Sequence, residues 1–177
     1  MKITLDHNCI INLDNRTEIG ERVKAAVFNK QNQCFVVNIG ASEMLEKGVR
    51  PELYEKFEEL LESAGIAHLP RLNPAFIFDV TFWDRSIFAE EESLKVIANI
   101  QDILFSGLQV IDITTESIGS ATWRKWLNRQ CDIQGMWCHL QNKNDVFLTA
   151  DTNFTKETKL SKLLALGAGR ICHPNEL

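Results

Sequence analysis

A chain of 177 residues can bury one well-formed domain and is short for two. Hydrophobic residues make up 45% and charged residues 24%, a balance that excludes a disordered chain. The formal net charge of −5 argues against a general nucleic-acid coating protein, whose nonspecific affinity rests on Lys and Arg, and no apolar run approaches the roughly 20 residues of a bilayer span. The N-terminus runs directly into Ile3-Thr4-Leu5 without a basic region followed by a long apolar one, so a cytoplasmic location is expected. Cys9, Cys34, Cys131, Cys138 and Cys172 are odd in number and form no C-x-x-C pair, which reads as buried free thiols rather than a zinc site or disulfide framework.

In chain order, Ile3 to Leu5 predicts a first strand, Asn8 to Leu13 a loop or helical turn, and Glu18 to Asn29 a helix. Cys34 to Val37 is β-rich and short enough for a buried strand. Asn38 to Lys47 reads as helix with Gly48 as its stop, and Pro51 opens a second helix whose Leu53, Phe57, Leu60, Leu61 and Ala64 recur at helical spacing up to Gly65. From residue 66 to about 105 the pattern is punctuated by Pro70, Asn73 and Pro74 and loaded with aromatics. It reads as an elaboration on the core, with a helix over Glu90 to Leu104. Leu108 to Ile113 alternates like a strand, Thr115 to Leu127 is helical, and a further helix opens near Asp132, where Ile133, Met136, Trp137 and Leu140 share one face. Val146 to Thr149 predicts a buried strand, Asn153 to Leu166 mostly helix, and Arg170 to Cys172 a last strand before Pro174. Strands alternating with helices predict a three-layer α/β/α domain around a mostly parallel sheet.

Four acids stand out in that scheme. Asp6 ends a short apolar run, and Asp151 ends Asp145-Val146-Phe147-Leu148-Thr149-Ala150, a run of the same design. In open parallel sheets ligands bind beyond the carboxyl ends of the strands, and two acids delivered there repel unless a cation or proton intervenes. Glu43 and Asp132 are the further candidates. Each also has a purely structural use: Asp6, Asp132 or Asp151 as a helix cap, Glu43 as a surface helix residue.

Leu5-Asp6-His7-Asn8-Cys9-Ile10-Ile11 resembles the opening motif of PIN domains, an acid followed two residues later by Asn or Ser and then an aliphatic pair. Phe147-Leu148-Thr149-Ala150-Asp151-Thr152-Asn153-Phe154 is similar to that family's late strand, Ile39-Gly40-Ala41-Ser42-Glu43-Met44 to the helix bearing its glutamate, and Gly169 to Pro174 to its final strand. Asp132, nineteen residues before Asp151, matches the third acid, although Ile133 to His139 is bulkier than the family's small-residue helix. The resemblance implies a divalent-metal-dependent endoribonuclease that leaves 5′-phosphate and 3′-hydroxyl ends, with Asp6, Glu43, Asp132 and Asp151 as catalytic ligands of Mg²⁺ or Mn²⁺. Side chains of Asp6, Glu43 and Asp151 are then expected to share one pocket. Asn8 and Thr149 would hold carboxylates or water, and Lys156, Lys159 and Lys162 would guide an RNA backbone, their other use being a solvated helix face.

Expected partners are RNA, an antitoxin-like protein if the chain is the toxin of a type II pair, and a second copy through the aromatic residues of Phe76 to Phe88. No membrane is expected. The alternative is a catalytically inactive PIN-like scaffold acting in RNA or protein binding. A receiver domain or haloacid-dehalogenase-like phosphatase shares the early Asp, but Asn8 stands where its second Asp would follow.

Overall fold

A computed structural model describes residues 1–45, 48–108 and 111–177. Its elements in chain order are β1 (Lys2–Leu5), α1 (His7–Asp14), α2 (Glu18–Val27), β2 (Gln33–Val37), α3 (Gly40–Glu43), α4 (Pro51–Ser63), β3 (Arg71–Leu72), α5 (Glu91–Phe105), α6 (Ala121–Gln141), β4 (Val146–Leu148), α7 (Thr152–Thr155), α8 (Glu157–Ala165) and β5 (Arg170–Cys172), with short 3-10 turns at Trp83–Arg85, Ile113–Thr115 and Pro174–Glu176. The strands form one sheet in the order β3-β2-β1-β4-β5, every neighbour parallel. Helices flank it, giving the three-layer α/β/α arrangement. No described helix is long and apolar enough to cross a membrane.

The central strands are apolar because both faces are covered. Ile3, Leu5, Val146, Phe147 and Leu148 are all at most 2% exposed. The connections after β1 and β2 run one way across the sheet, and those after β3 and β4 run the other way. Right-handed crossovers therefore place α1 to α4 on one face and α5 to α8 on the opposite face. Between β1 and β4 the direction of winding reverses, and at such a switch point a crevice opens beyond the carboxyl ends of the strands.

Local chemistry sets the helix ends. The Thr17 hydroxyl caps α2 by accepting from Gly20 N at 3.0 Å, and Gly20 itself has no alternative, since a Cβ there would sit 2.1 Å from the Asn12 carbonyl of α1. Pro51 opens α4, where a missing N–H costs nothing, and Gly65 follows it at φ +73°.

Several expectations are corrected. Asn8 to Leu13 is part of a full helix, α1, because Asp6 caps it. The helix expected over Asn38 to Lys47 is only the single turn of α3, with Lys47 outside the described residues. Gln109 and Val110 of the expected strand Leu108 to Ile113 also lie outside them, while Ile113 opens a 3-10 turn. The two helices expected over Thr115 to Leu127 and from Asp132 are one, α6, starting at the Ser120 cap. No Gly or Pro lies between Leu127 and Asp132 to end it, and its second half is buried almost all round. Asp132 therefore sits mid-helix, not at an N-terminus. The segment read as elaboration contains β3, a core edge strand pairing with Val36 and Val37 of β2. All five cysteines are free and buried, as their scatter suggested.

Candidate functional site

Asp6 is fixed by bonds that run across the switch point. Its backbone N–H donates to the Leu148 carbonyl of β4 at 3.0 Å, after which the chain turns into α1 and Asp6 Oδ1 accepts from His7 N at 2.8 Å. Oδ2 accepts from Asn8 Nδ2 and from the Thr149 hydroxyl, each at 2.6 Å. Thr149 Oγ1 in turn receives Asp151 N at 2.9 Å, and Asn8 Oδ1 receives Ala150 N at 2.9 Å. Asn8 and Thr149 thus stitch the end of β1 to the end of β4 and hold both acids. Asp151 Oδ1 accepts from Asn153 N at 2.8 Å, capping α7. Capping and site placement coincide for these two residues: the same turn that ends the strand presents the carboxylate.

Glu43 reaches the same end of the sheet from α3. Its Oε2 lies 3.8 Å from His7 Nε2, and the other ring nitrogen of His7 is buried without a hydrogen-bond partner among the described residues. Gly40 makes room for that ring, since a Cβ there would be 2.6 Å from His7 Nδ1. Asp132 arrives from the middle of α6. Asp6, Glu43 and Asp151 do not share the single pocket expected of them, because Asp151 lies with Asp132 in a second recess. Asp6 and Glu43 line a narrow one with His7, Gly40 and Cys131, whereas Asp132 and Asp151 line a groove of about 420 Å³.

Their charges nevertheless couple across that division. Burial raises Asp6 to about 6, the Asp151 charge adds to the rise, and the donors from Thr149, His7 and Asn8 oppose it. Burial, then the charges of Asp6 and Asp151, raise Asp132 to about 8, with the Lys159 ammonium opposing. Burial and the charges of Asp6 and Asp132 push Glu43 upward, although 31% of its side chain still meets solvent, which limits the rise. Burial lowers His7 to about 4, so it is neutral near pH 7 and its contact with Glu43 is no full ion pair there.

Comparisons with family models, with curated proteins and with solved structures gave no match.

Of the lysines singled out in the sequence, Lys156 and Lys159 line the Asp132–Asp151 groove, and Lys162 is exposed on α8 outside that lining. Lys159 Nζ donates to the Leu104 carbonyl and to Asn153 Oδ1. Sequence reasoning missed Lys125, Asn128 and Arg129, which line the same groove. Their signal was the spacing 125, 128, 129, 132, one face of a single helix, and it vanished when α6 was read as two. The Arg129 guanidinium lies 5.5 Å and Lys159 Nζ 6.0 Å from the Phe105 ring centroid, so a ring floors the cationic wall. His7 was also missed as a neighbour of Glu43. His139 is structural: Nε2 faces the Ala168 carbonyl at 2.8 Å and so carries the proton, leaving Nδ1 to accept from the Thr4 hydroxyl at 3.0 Å.

Four carboxylates form a hard oxygen donor set suited to Mg²⁺ or Mn²⁺. Among the described residues, no three His, Cys, Asp or Glu side chains stand close enough to enclose one ion as placed.

Proposed function

We propose that the chain is a divalent-metal-dependent ribonuclease of PIN type. One observation carries the reading: four acids, from the ends of β1 and β4 and from α3 and α6, lie in two recesses whose charges couple, and burial and mutual repulsion raise Asp6, Glu43 and Asp132. A fold gains nothing in stability from such a cluster unless a cation or protons neutralise it. Asp6, Glu43, Asp132 and Asp151 would hold Mg²⁺ or Mn²⁺, drawing the two recesses toward one ion. When bound, the ion supplies an activated water and charge neutralisation at the phosphodiester.

The remaining work falls to the chain itself. Asn8 and Thr149 keep the Asp6 carboxylate from rotating, and His7 stands beside Glu43 where it limits the directions that carboxylate can take. Lys125 and Lys156 on the groove walls offer ammonium groups to successive phosphates of an RNA strand. The resemblance implies 5′-phosphate and 3′-hydroxyl products.

The division of the acids into two recesses favours a second reading, a scaffold that keeps the fold but binds RNA or protein without cleaving it. Titration with Mn²⁺, followed by calorimetry beside cleavage of single-stranded and structured RNA, separates them. The nuclease reading expects saturable Mn²⁺ binding, lost in Asp6→Asn and Asp151→Asn, and cleavage that chelator abolishes. Absence of both binding and cleavage overturns it in favour of the scaffold.

A further inference from the structure

The segment after β3 carries apolar surface that its own packing does not use. Trp83 is 72%, Phe88 74% and Phe78 78% exposed. Trp83 and Phe88 are not loosely held. Phe76, Trp83 and Phe88 form a mutual cluster with centroids 5.3 to 5.9 Å apart, mostly edge-to-face. The backbone beneath them is tied by Phe76 N to the Ile87 carbonyl at 2.7 Å and by Ile87 N to the Pro74 carbonyl at 2.9 Å. Phe78, two residues along the chain from Phe76, lines an apolar groove of about 480 Å³ with Ile118, Trp123 and Trp126. Rigid, clustered, exposed aromatics are the usual form of an interaction site, because little side-chain entropy remains to be lost on binding.

Charge selects the occupant. Over residues 76 to 92 there are five acids, Asp79, Asp84, Glu90, Glu91 and Glu92, against one base, Arg85. Arg85 is already engaged with the Tyr54 ring at 4.9 Å and with Asp84 at 3.6 Å. Lys95 meets Glu91 and Glu92 from the following turn of α5, leaving Asp79 and Glu90 the more open acids. The charged residues lining the groove are Asp79 and Glu116. A nucleic acid, which could stack on the rings, would be repelled by this rim. A second copy related by a two-fold axis through the patch would set the same acids against themselves.

We infer that this face docks an amphipathic, basic segment of a partner polypeptide, with aliphatic anchors entering the groove and covering the aromatic cluster while Lys or Arg residues meet Asp79, Glu116 and Glu90. Helix-in-groove recognition of this kind reads apolar anchors at i, i+3, i+4 and i+7. The inference is independent of the nuclease reading, since it uses none of the four carboxylates.

The probe is a labelled synthetic helix with Leu at those positions and Lys elsewhere, compared by fluorescence anisotropy with its Glu-for-Lys counterpart and with a single-stranded RNA. The full chain is tested as wild type, as Trp83→Ser/Phe88→Ser, as Phe78→Ser and as Asp79→Asn/Glu90→Gln, with thermal melts to confirm folding. Because the altered side chains are exposed, melting temperatures are expected to hold. The Lys peptide should bind at least about tenfold more tightly than the Glu peptide, and each aromatic variant should lose about tenfold, with the charge variant losing less. Equal binding of the two peptides, no binding of either, or binding indifferent to all three variants overturns the inference. So does RNA binding that the aromatic variants abolish, or a wild-type dimer in light scattering that they disperse.

Discussion

Asp6 and Asp132 are both acids near the same crevice, yet they are held in opposite ways. Asp6 sits at a strand end where three donors, His7 N, Asn8 Nδ2 and the Thr149 hydroxyl, converge on its two oxygens. Asp132 projects from the middle of a buried helix, where burial and two neighbouring carboxylates act on it and Lys159 is the opposing charge. The difference teaches that a carboxylate can be placed by local hydrogen bonding, which also lowers its electrostatic cost, or by the packing of its element, which leaves that cost standing. Only the second kind stabilises the protein when its charge is removed.

The largest expected effect tests the shared role. If both acids hold the ion, Asp6→Asn and Asp132→Asn should each reduce Mn²⁺-dependent RNA cleavage by more than roughly 100-fold, beyond what loss of a supporting group costs. A single-turnover assay that finds only Asp6→Asn inactive breaks the pairing and reduces Asp132 to a bystander.

Stability should then separate them. In chelator at pH 8, Asp132→Asn is expected to stabilise the protein by at least about 1 kcal/mol, because it removes an electrostatic cost without removing the bonds that build the fold. Asp6→Asn should be neutral or destabilising. Oδ1 and Oδ2 both accept, and an amide offers only one oxygen, so a donor is left facing an NH₂. Thermal melts of both variants decide this.

pH sharpens the contrast further. Folded Asp132 holds its proton more tightly than the unfolded chain, so unfolding releases that proton and stability falls as pH climbs from about 4 toward about 8. Asp6 adds to that loss up to about pH 6, while His7, lowered to about 4, acts the other way below its ordinary value of 6.5. Between pH 6.5 and 8 the raised acids Asp132 and Glu43 act together: the metal-free protein should melt higher at pH 6.5 than at pH 8, and Asp132→Asn should reduce the slope. Millimolar Mn²⁺ should reverse it by binding the ionised form.

The last two variants test the stitching and the groove wall. Thr149→Val removes a buried hydroxyl that serves Asp6 Oδ2 and Asp151 N, leaving the latter without that acceptor, and should cost about 1 to 3 kcal/mol in urea unfolding. Lys125→Ala, by contrast, should leave stability unchanged and lower the salt dependence of RNA binding by about one phosphate contact.

The same distinction explains what the sequence made legible. Asp6, Asn8, Thr149 and Asp151 lie within three residues of a strand end, so alternation and turn chemistry announced them, and the parallel sheet followed from strands alternating with helices. Asp132 announced itself only as a possible cap. Its true setting depends on α6 running uninterrupted from Ala121 to Gln141, which no local signal states, because a helix buried almost all round loses the amphipathic period by which helices are read. The division of the acids into two recesses and the cationic wall of Lys125 and Arg129 were hidden for the same reason. β3 was missed because two residues carry no periodicity.

One bond far from the carboxylates sets a tolerance for all of them. Thr4, two residues before Asp6 on β1, accepts Asn144 Nδ2 at 2.9 Å and donates to His139, which lies seven residues after Asp132 on α6. Seven residues are close to two helical turns, so His139 and Asp132 look out from the same side of α6 about 10 Å apart along its axis. The sheet and the long helix are in effect two rulers pinned together at one mark, and the pin fixes where every later mark on one falls against the other. A core mutation that slid α6 by a fraction of a turn would shift Asp132 against Asp6 with every acid still in its own rotamer. The alignment between the two recesses is thus a property of the Thr4–His139 pin as much as of the side chains that line them.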